Sequence, residues 1–290
     1  MQDLFIILKP SHKGGFCIFG PQLFGMAFKN TLKERIYYWK QSRKYGSTDV
    51  NRVRSLIESL RPLTSSFPLI RLGDVGDGGY LVPDCIDGLS TVFSLGVADS
   101  VSFERDCVKR GMRAIMADAS VAAPEITSHS EQYTFFPNFI GAYQADEYIT
   151  FADLHAKSGI RPEEEFIIQM DIEGSEYQVL LQMPEELLQK ARVIVVEFHG
   201  LTELFSSLPF NIIHACFQRL LSTHEVVHIH PNNYGKVAVK KDVVVPTLME
   251  FTFLRKDVGT FSQAAQSYPN PLDADCTPLR PLVLPENWHF

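Results

Sequence analysis

The chain has 290 residues, 45% of them hydrophobic and 21% charged, with a formal net charge of −7 at pH 7. This allows one large domain with a substantial core plus an extension, and it argues against a general nucleic-acid binder, which needs clustered Lys and Arg for phosphates. The five cysteines, Cys17, Cys85, Cys107, Cys216 and Cys276, are widely spaced without a C-x-x-C pair, which speaks against a disulfide framework or zinc knuckle and for a reducing compartment.

The first recognisable feature is an apolar patch, "GFCIFGPQLFGMAF", which contains Pro21 and Gln22. It is too short to span a bilayer and lacks the layout of a signal peptide, so a soluble, cytoplasmic protein without a membrane span is expected. The basic stretch Lys33 to Lys44 reads as a solvated helix face. Residues 29 to about 61 read as helical, with Leu32, Ile36 and Trp39, then Val53, Leu56, Ile57 and Leu60, at helical spacing until Pro62. The glycine-rich stretch "RLGDVGDGGYLVP" (Arg71–Pro83) follows. It fits either a pair of Asp-Gly hairpin turns or a loop closing over a ligand.

Strands and helices then alternate. "TVFSLG" (Thr91–Gly96) is the first predicted strand. Val101 to Arg110 is a helix with Ser100 as its cap. "MRAIMAD" (Met112–Asp118) is the second strand, and "YTFFPNFIGAY" (Tyr133–Tyr143) contains the third, interrupted near Pro137. "ADLHAKSG" is a short helix ending at Gly159, and "FIIQMD" (Phe166–Asp171) is the fourth strand. Ser175 and Gln178 form an S-x-x-Q capping box for a helix starting near Glu176. "RVIVVEFHG" (Arg192–Gly200) is the fifth strand, followed by the amphipathic helix "NIIHACFQRLLSTH". The last two strands, Glu225–Asn233 and Thr247–Arg255, are separated by a loop or ribbon instead of a helix, so the final strand returns antiparallel.

This order predicts an α/β fold: a mostly parallel seven-stranded sheet with an antiparallel strand near its C-terminal edge and helices on both faces. That is the Rossmann-like arrangement of class I S-adenosylmethionine-dependent methyltransferases. The expected divisions are an N-terminal helical extension (1–65), the central domain (66–258) and a Pro-rich C-terminal extension (259–290).

Ligands of open α/β sheets bind at the C-terminal strand ends, where strand order reverses. Gly96 closes the first strand and permits a tight turn, and Asp118 ends the second strand 22 residues later. That spacing suits the ribose hydroxyls of a nucleoside. The loop is not G-x-G-x-x-G and no G-x-x-x-x-G-K-[ST] occurs, so a dinucleotide or nucleoside triphosphate is disfavoured. Taken singly, Gly96 reads as an ordinary turn glycine and Asp118 as a solvated strand-end carboxylate. Further along, Asp171 ends the fourth strand while Glu197 and His199 end the fifth. Together they are ligands suited to a divalent cation such as Mg2+, which could orient and acidify a substrate hydroxyl. His228 and His230 share a face of the sixth strand, and the general base expected is His230, in preference to His199, which would be taken up as a metal ligand. Glu173 and Glu176 read more simply as favourable charge at a helix N-terminus.

"DIEGSEYQVL" resembles the D-x-E-G-x-E-x-x-x-L signature of FkbM-type methyltransferases. "DGGYLVP", "VFSLGVADSVSFE" with the strand ending in Asp118, "VVEFH", and "HIHPNN" followed by "PTLMEFTF" resemble the longer version of that family, over roughly Leu72 to Arg255. The resemblance implies an S-adenosylmethionine-dependent transferase, commonly acting on oxygen of a sugar or natural-product hydroxyl. On it, the cofactor would be held by Asp77, Gly79, Tyr80, Ser94, Gly96, Val97, Asp118, Ala119 and Asp171, with Gly96 at the methionine moiety, Asp118 at the ribose and Asp171 at the acceptor edge. The partner implied is a small-molecule acceptor, and a homo-oligomer is compatible with it. Two other readings stay open: a metal-dependent hydrolase or lyase using the carboxylate–His crevice, and a cofactor-binding module without chemistry.

Overall fold

A computed structural model describes Tyr37, Lys40 and residues 44–98, 100–126, 128–263 and 267–290. The apolar N-terminal patch, most of the basic stretch and the first part of the expected N-terminal helix lie outside the described residues.

Apolar runs with β-branched and aromatic residues make strands that can be covered on both faces. Seven of them form the main sheet: β1 (Thr91–Leu95), β2 (Arg113–Ala117), β3 (Tyr133–Phe136), β4 (Phe166–Met170), β5 (Ala191–Phe198), β6 (His224–Pro231) and β7 (Met249–Arg255). Their spatial order is β6–β7–β5–β4–β1–β2–β3. β7 runs antiparallel to both β5 and β6, and the remaining pairings are parallel. Strand order therefore reverses at β1, which has β2 on one side and β4 on the other. A ligand crevice is expected above the β1 and β4 tips.

Alternate residues of the strands enter two separate cores. Val92, Met116, Ile167 and Val195 pack with Phe103 and Cys107 of α2 (Ser102–Lys109). Phe93, Ile115, Ile168 and Val196 pack instead with residues of α1 (Val50–Ser59), α3 (Phe151–Lys157), α4 (Glu176–Gln182) and α5 (Ser207–Thr223). No helix among the described residues is long and apolar enough to cross a membrane.

Three local outcomes differ from the sequence expectation. The N-terminal helical segment is interrupted in its described part, where Gly46 takes φ +76° and Ser47 bridges to Ser206. Asp49 then caps α1, its carboxylate accepting from Asn51 N at 3.0 Å. Secondly, Ser175 makes no side-chain cap bond to the backbone of α4. It sits in a helical conformation already, too far into the turn to act as the cap, and Gln178 Nε2 donates to its Oγ at 3.1 Å. Thirdly, the Pro-rich tail is packed onto the domain. Phe261–Ser262 pairs with Thr64–Ser65, and the fully buried Trp288 donates its Nε1–H to Val244 O at 3.0 Å.

Candidate active site

The turn after β1 is built around a backbone contact. Gly96 has φ +79°, and a Cβ there would lie 1.7 Å from the carbonyl oxygen of Asp171. Glycine is thus demanded by the approach of the β4 tip, in addition to any ligand. Asp118, just beyond β2, shapes the same turn. Its Oδ2 accepts from Val97 N at 3.0 Å and Ala98 N at 3.1 Å, while its Oδ1 accepts from Ser120 N at 2.7 Å and Ser120 Oγ at 2.6 Å. A carboxylate has about four acceptor sites, so Asp118 is filled. Ala119 lies between these two groups of contacts and is half-buried. The Ser120 hydroxyl is the partner that another hydroxyl could replace.

The glycine-rich stretch is a hairpin. Leu69–Leu72 pairs antiparallel with Tyr80–Pro83, and residues 73–79 form the loop. Arg71 ties the loop from within, donating to Asp74 O at 3.0 Å and Gly76 O at 2.9 Å. Its outer wall is α2, whose Ser102 Oγ accepts from Asp74 N at 3.0 Å and whose Asp106 accepts from Gly73 N at 3.0 Å. Gly79 is needed because a Cβ would meet Asp74 O at 2.1 Å. Asp77 is exposed and accepts from Gly78 N.

Tyr80 and Ser94, grouped by the sequence with the cofactor contacts, face the interior. Tyr80 is 3% exposed, packs edge-on against Phe103, and receives a long hydrogen bond from Gln169 Nε2 at 3.4 Å. Ser94 is fully buried, and its Oγ lies 2.8 Å from Gln169 Oε1 and within hydrogen-bond reach of Glu104, with one hydrogen to give to either. Every residue of both strands is buried, so neither side chain reaches the surface. Burial raises the Glu104 carboxyl to about 7.

At the β4 and β5 tips lies a denser cluster. His199 Nδ1 is 3.1 Å from Glu176 Oε1, and its Nε2 is 3.4 Å from Glu173, 3.7 Å from Glu197 and 3.8 Å from Asp171. Burial alone would lower the His199 pKa. The Glu176 hydrogen bond and the charges of Glu176, Asp171 and Glu197 outweigh it and bring it to about 10, so the free ring is an imidazolium at neutral pH. Burial also raises the Asp171 carboxyl, with Glu197 adding to the effect and His199 opposing it. The Oδ1 of Asp171 is buried and has no hydrogen-bond partner among the described residues.

Two carboxylates read as helix-terminus charge have larger roles. Glu176 is fully buried, and its Oε1 accepts from Gly174 N at 2.9 Å and Ile172 N at 3.3 Å, clamping the turn that carries Asp171 and Glu173. Glu173 takes φ +55° and turns its carboxylate to His199. Among the described residues, those whose ligand atoms lie within 4.8 Å of one another are therefore Asp171, Glu173 and His199. Glu197, the third member of the expected metal set, instead accepts from Asn232 Nδ2 at 3.0 and 3.2 Å.

His230 is not brought to this cluster. β7 lies between β5 and β6, so His230 pairs across from Glu250, which pairs across from Glu197. Three strand spacings separate it from β4, roughly 14 Å. Its Nδ1 is 3.2 Å from Asp273 of the tail, and His228 Nε2 is 2.9 Å from the same carboxylate. Glu250 beside it is buried, raised by that burial to about 8, and accepts from Cys276 Sγ. Glu250 was legible as a lone charge in an apolar strand. Asp273 carries no local signal in the tail sequence.

Residues 82–220 match the family described as methyltransferase FkbM domain. No curated protein sequence matches the chain. Among solved structures, similarity is found to a putative RNA methyltransferase from Pyrococcus horikoshii at 11% identity and TM-score 0.32, covering 57% of this chain and 74% of that one. Fibrillarin from Methanococcus jannaschii gives 12% and 0.35, covering 66% and 83%. A 1,6-didemethyltoxoflavin-N1-methyltransferase from Burkholderia thailandensis, solved with S-adenosylhomocysteine, gives 10% and 0.27, covering 80% and 93%. Likeness at this level says nothing of substrate or mechanism. The motifs and the strand order agree with the family match, and residues 82–220 carry an FkbM-type domain, that of S-adenosylmethionine-dependent methyltransferases.

Proposed function

We propose that the chain methylates a hydroxyl of a small molecule, a sugar or natural-product-like acceptor, with Asp171 taking the proton. The observation that carries this reading is the buried, unpartnered Oδ1 of Asp171 at the β4 tip, beside His199. S-adenosylmethionine, when bound, supplies an electrophilic methyl group. The residues fit it: Gly96, Val97 and Ala98 present a turn already held by a carboxylate, and Ser120 Oγ rests on Asp118 Oδ1 where a ribose hydroxyl can take its place. The exposed Asp77 and the loop 73–79 form the adjoining wall. The carboxylates of Asp171, Glu173 and Glu197 outnumber the one imidazolium and favour a cationic sulfonium nearby.

In this reading the acceptor hydroxyl loses its proton to Asp171 as its oxygen is methylated. A carboxylate whose proton affinity burial has raised is a better general base than a solvated one. His199 holds Asp171 in place electrostatically, and most of the rate comes from orientation and proximity. His230 is assigned no part in proton transfer, given its distance. A divalent cation fits the donor set Asp171, Glu173 and His199. It would displace the ring proton of His199 and supply Lewis acidity towards the hydroxyl. The test is transfer of labelled methyl from S-adenosylmethionine to a panel of hydroxylated small molecules, with and without chelator. Label appearing only on nitrogen acceptors would overturn the oxygen assignment, and turnover unchanged by chelator would remove the metal.

A further inference from the structure

β6 is a free edge of the sheet, and the tail runs along it. Between them is a cavity of about 220 Å3 with apolar walls that include Ile229, Pro269, Leu282 and Leu284, and with His230 and Tyr268 on its lining. Two buried polar atoms of these lining residues have no hydrogen-bond partner among the described residues, His230 Nε2 and Tyr268 Oη. His230 is itself only 7% exposed. Both rings are fixed from behind. Asp273 holds His230 through Nδ1, and Tyr268 stacks on His289 at 5.4 Å, with His289 Nε2 at 2.9 Å from Leu284 O.

A buried polar group left unpaired is destabilising, and two on residues lining one mostly apolar cavity call for an oxygen that both can reach. The space is that of a single substituted ring, since a cavity of about 150 Å3 already admits benzene. The carboxylates of Asp273 and Asp275 also line it, which disfavours an anion. We propose that this cavity is a binding site for a small uncharged molecule of single-ring size, its apolar body against the Pro and Leu walls and its one hydroxyl or carbonyl oxygen bonded by His230 and Tyr268. The site lies three strands from Asp171 and does not depend on the transfer chemistry proposed there.

The probe is 4-fluorophenol, followed by fluorine NMR on the full chain, with fluorobenzene as its oxygen-free counterpart. The site predicts saturable binding of 4-fluorophenol and binding of fluorobenzene at least about tenfold weaker, equivalent to ~1.4 kcal/mol. Tyr268→Phe should weaken 4-fluorophenol by a similar factor. Leu282→Trp, which fills the space, should abolish binding while leaving S-adenosylmethionine affinity unchanged, which also reports that the variant is folded. Absence of saturable binding at millimolar probe means a cavity filled by water and overturns the proposal. So does binding that survives Leu282→Trp, or equal affinity for the two probes.

Discussion

Two imidazoles sit among carboxylates at the C-terminal ends of the strands, and they differ in what surrounds them. His199 faces Asp171, Glu173, Glu176 and Glu197, at the reversal of strand order and beside the turn that Asp118 holds. His230 faces Asp273 and Glu250, with His228 sharing Asp273, under a tail that Asn233 pins by accepting from Thr277 N at 3.0 Å and donating to Thr277 O at 2.9 Å. Similar side chains therefore serve different ends. One cluster gathers its carboxylates at the tips of β4 and β5, and the other uses the Asp273 carboxylate to fasten the tail to β6. The inserted antiparallel strand makes the division, because it moves β6 away from the site by one further strand spacing.

The largest effect expected is on chemistry at the first cluster. Asp171→Asn should lower methyl transfer by ~10²–10⁴-fold, the usual contribution of a general base, while His230→Ala leaves transfer nearly unchanged. Assays of labelled methyl transfer on one acceptor compare the two directly, and equal losses would erase the distinction. Next is the turn between β1 and β4. Gly96→Ala places a methyl group on the Asp171 carbonyl and forces a strained φ, so unfolding in urea should show a loss of ~3 kcal/mol or more. A loss below about 1 kcal/mol would mean that the β4 tip moves aside easily.

At the second cluster the expected effect is on stability. His230→Ala leaves the Asp273 carboxylate with one imidazole fewer and should cost ~1–3 kcal/mol in the same urea assay. Its pH dependence follows from the groups facing it: Asp273, Glu250, Asp275 and His228. Burial would lower the His230 pKa, but the Asp273 bond and the charges of Glu250, Asp273 and Asp275 raise it. Its contribution is therefore fully present below the ordinary histidine value of about 6.5 and is lost as pH rises through the higher folded value. Asp273, despite burial, is held well below the usual carboxylate range by His228 and His230. Its contribution is present above about 3.9 and is lost as pH falls through the lower folded value. The tail should thus resist limited proteolysis best between about pH 4 and 6.5, and a protection that keeps rising above neutrality would contradict the pairing. The smallest effect is at the ribose side. Ser120→Ala removes a hydroxyl that a ligand would displace anyway, so calorimetry should show cofactor affinity changed by no more than about 1 kcal/mol. A large loss would make Ser120 a direct ligand.

Much of this architecture was legible in the sequence because buried parallel strands announce themselves as apolar runs. The ribbon between the last two strands also marked the antiparallel return. Asp171 and His199 could be paired because each ends a strand and those strands are neighbours. His230 was misplaced by the same reasoning, since ends in one crevice were taken as near without counting the strand between. Ser94 and Tyr80 were grouped with the expected cofactor contacts by the resemblance, and they lie in strands that are buried throughout. Glu173 and Glu176 carry ordinary helix-terminus charge in any sequence reading, and only the turn geometry shows one clamping the loop and the other reaching His199. The tail contacts could not be foreseen, because Asp273 meets His228 and His230 across more than forty residues, from a part of the tail without regular structure beyond β7.

The most direct test of this division is calorimetric titration of S-adenosylmethionine into the wild-type chain, Asp118→Asn and His230→Ala. Saturable one-site binding by the wild type, sharply weakened in Asp118→Asn and retained in His230→Ala, is the predicted result. Absence of binding by the wild type, or loss in His230→Ala with retention in Asp118→Asn, would contradict it.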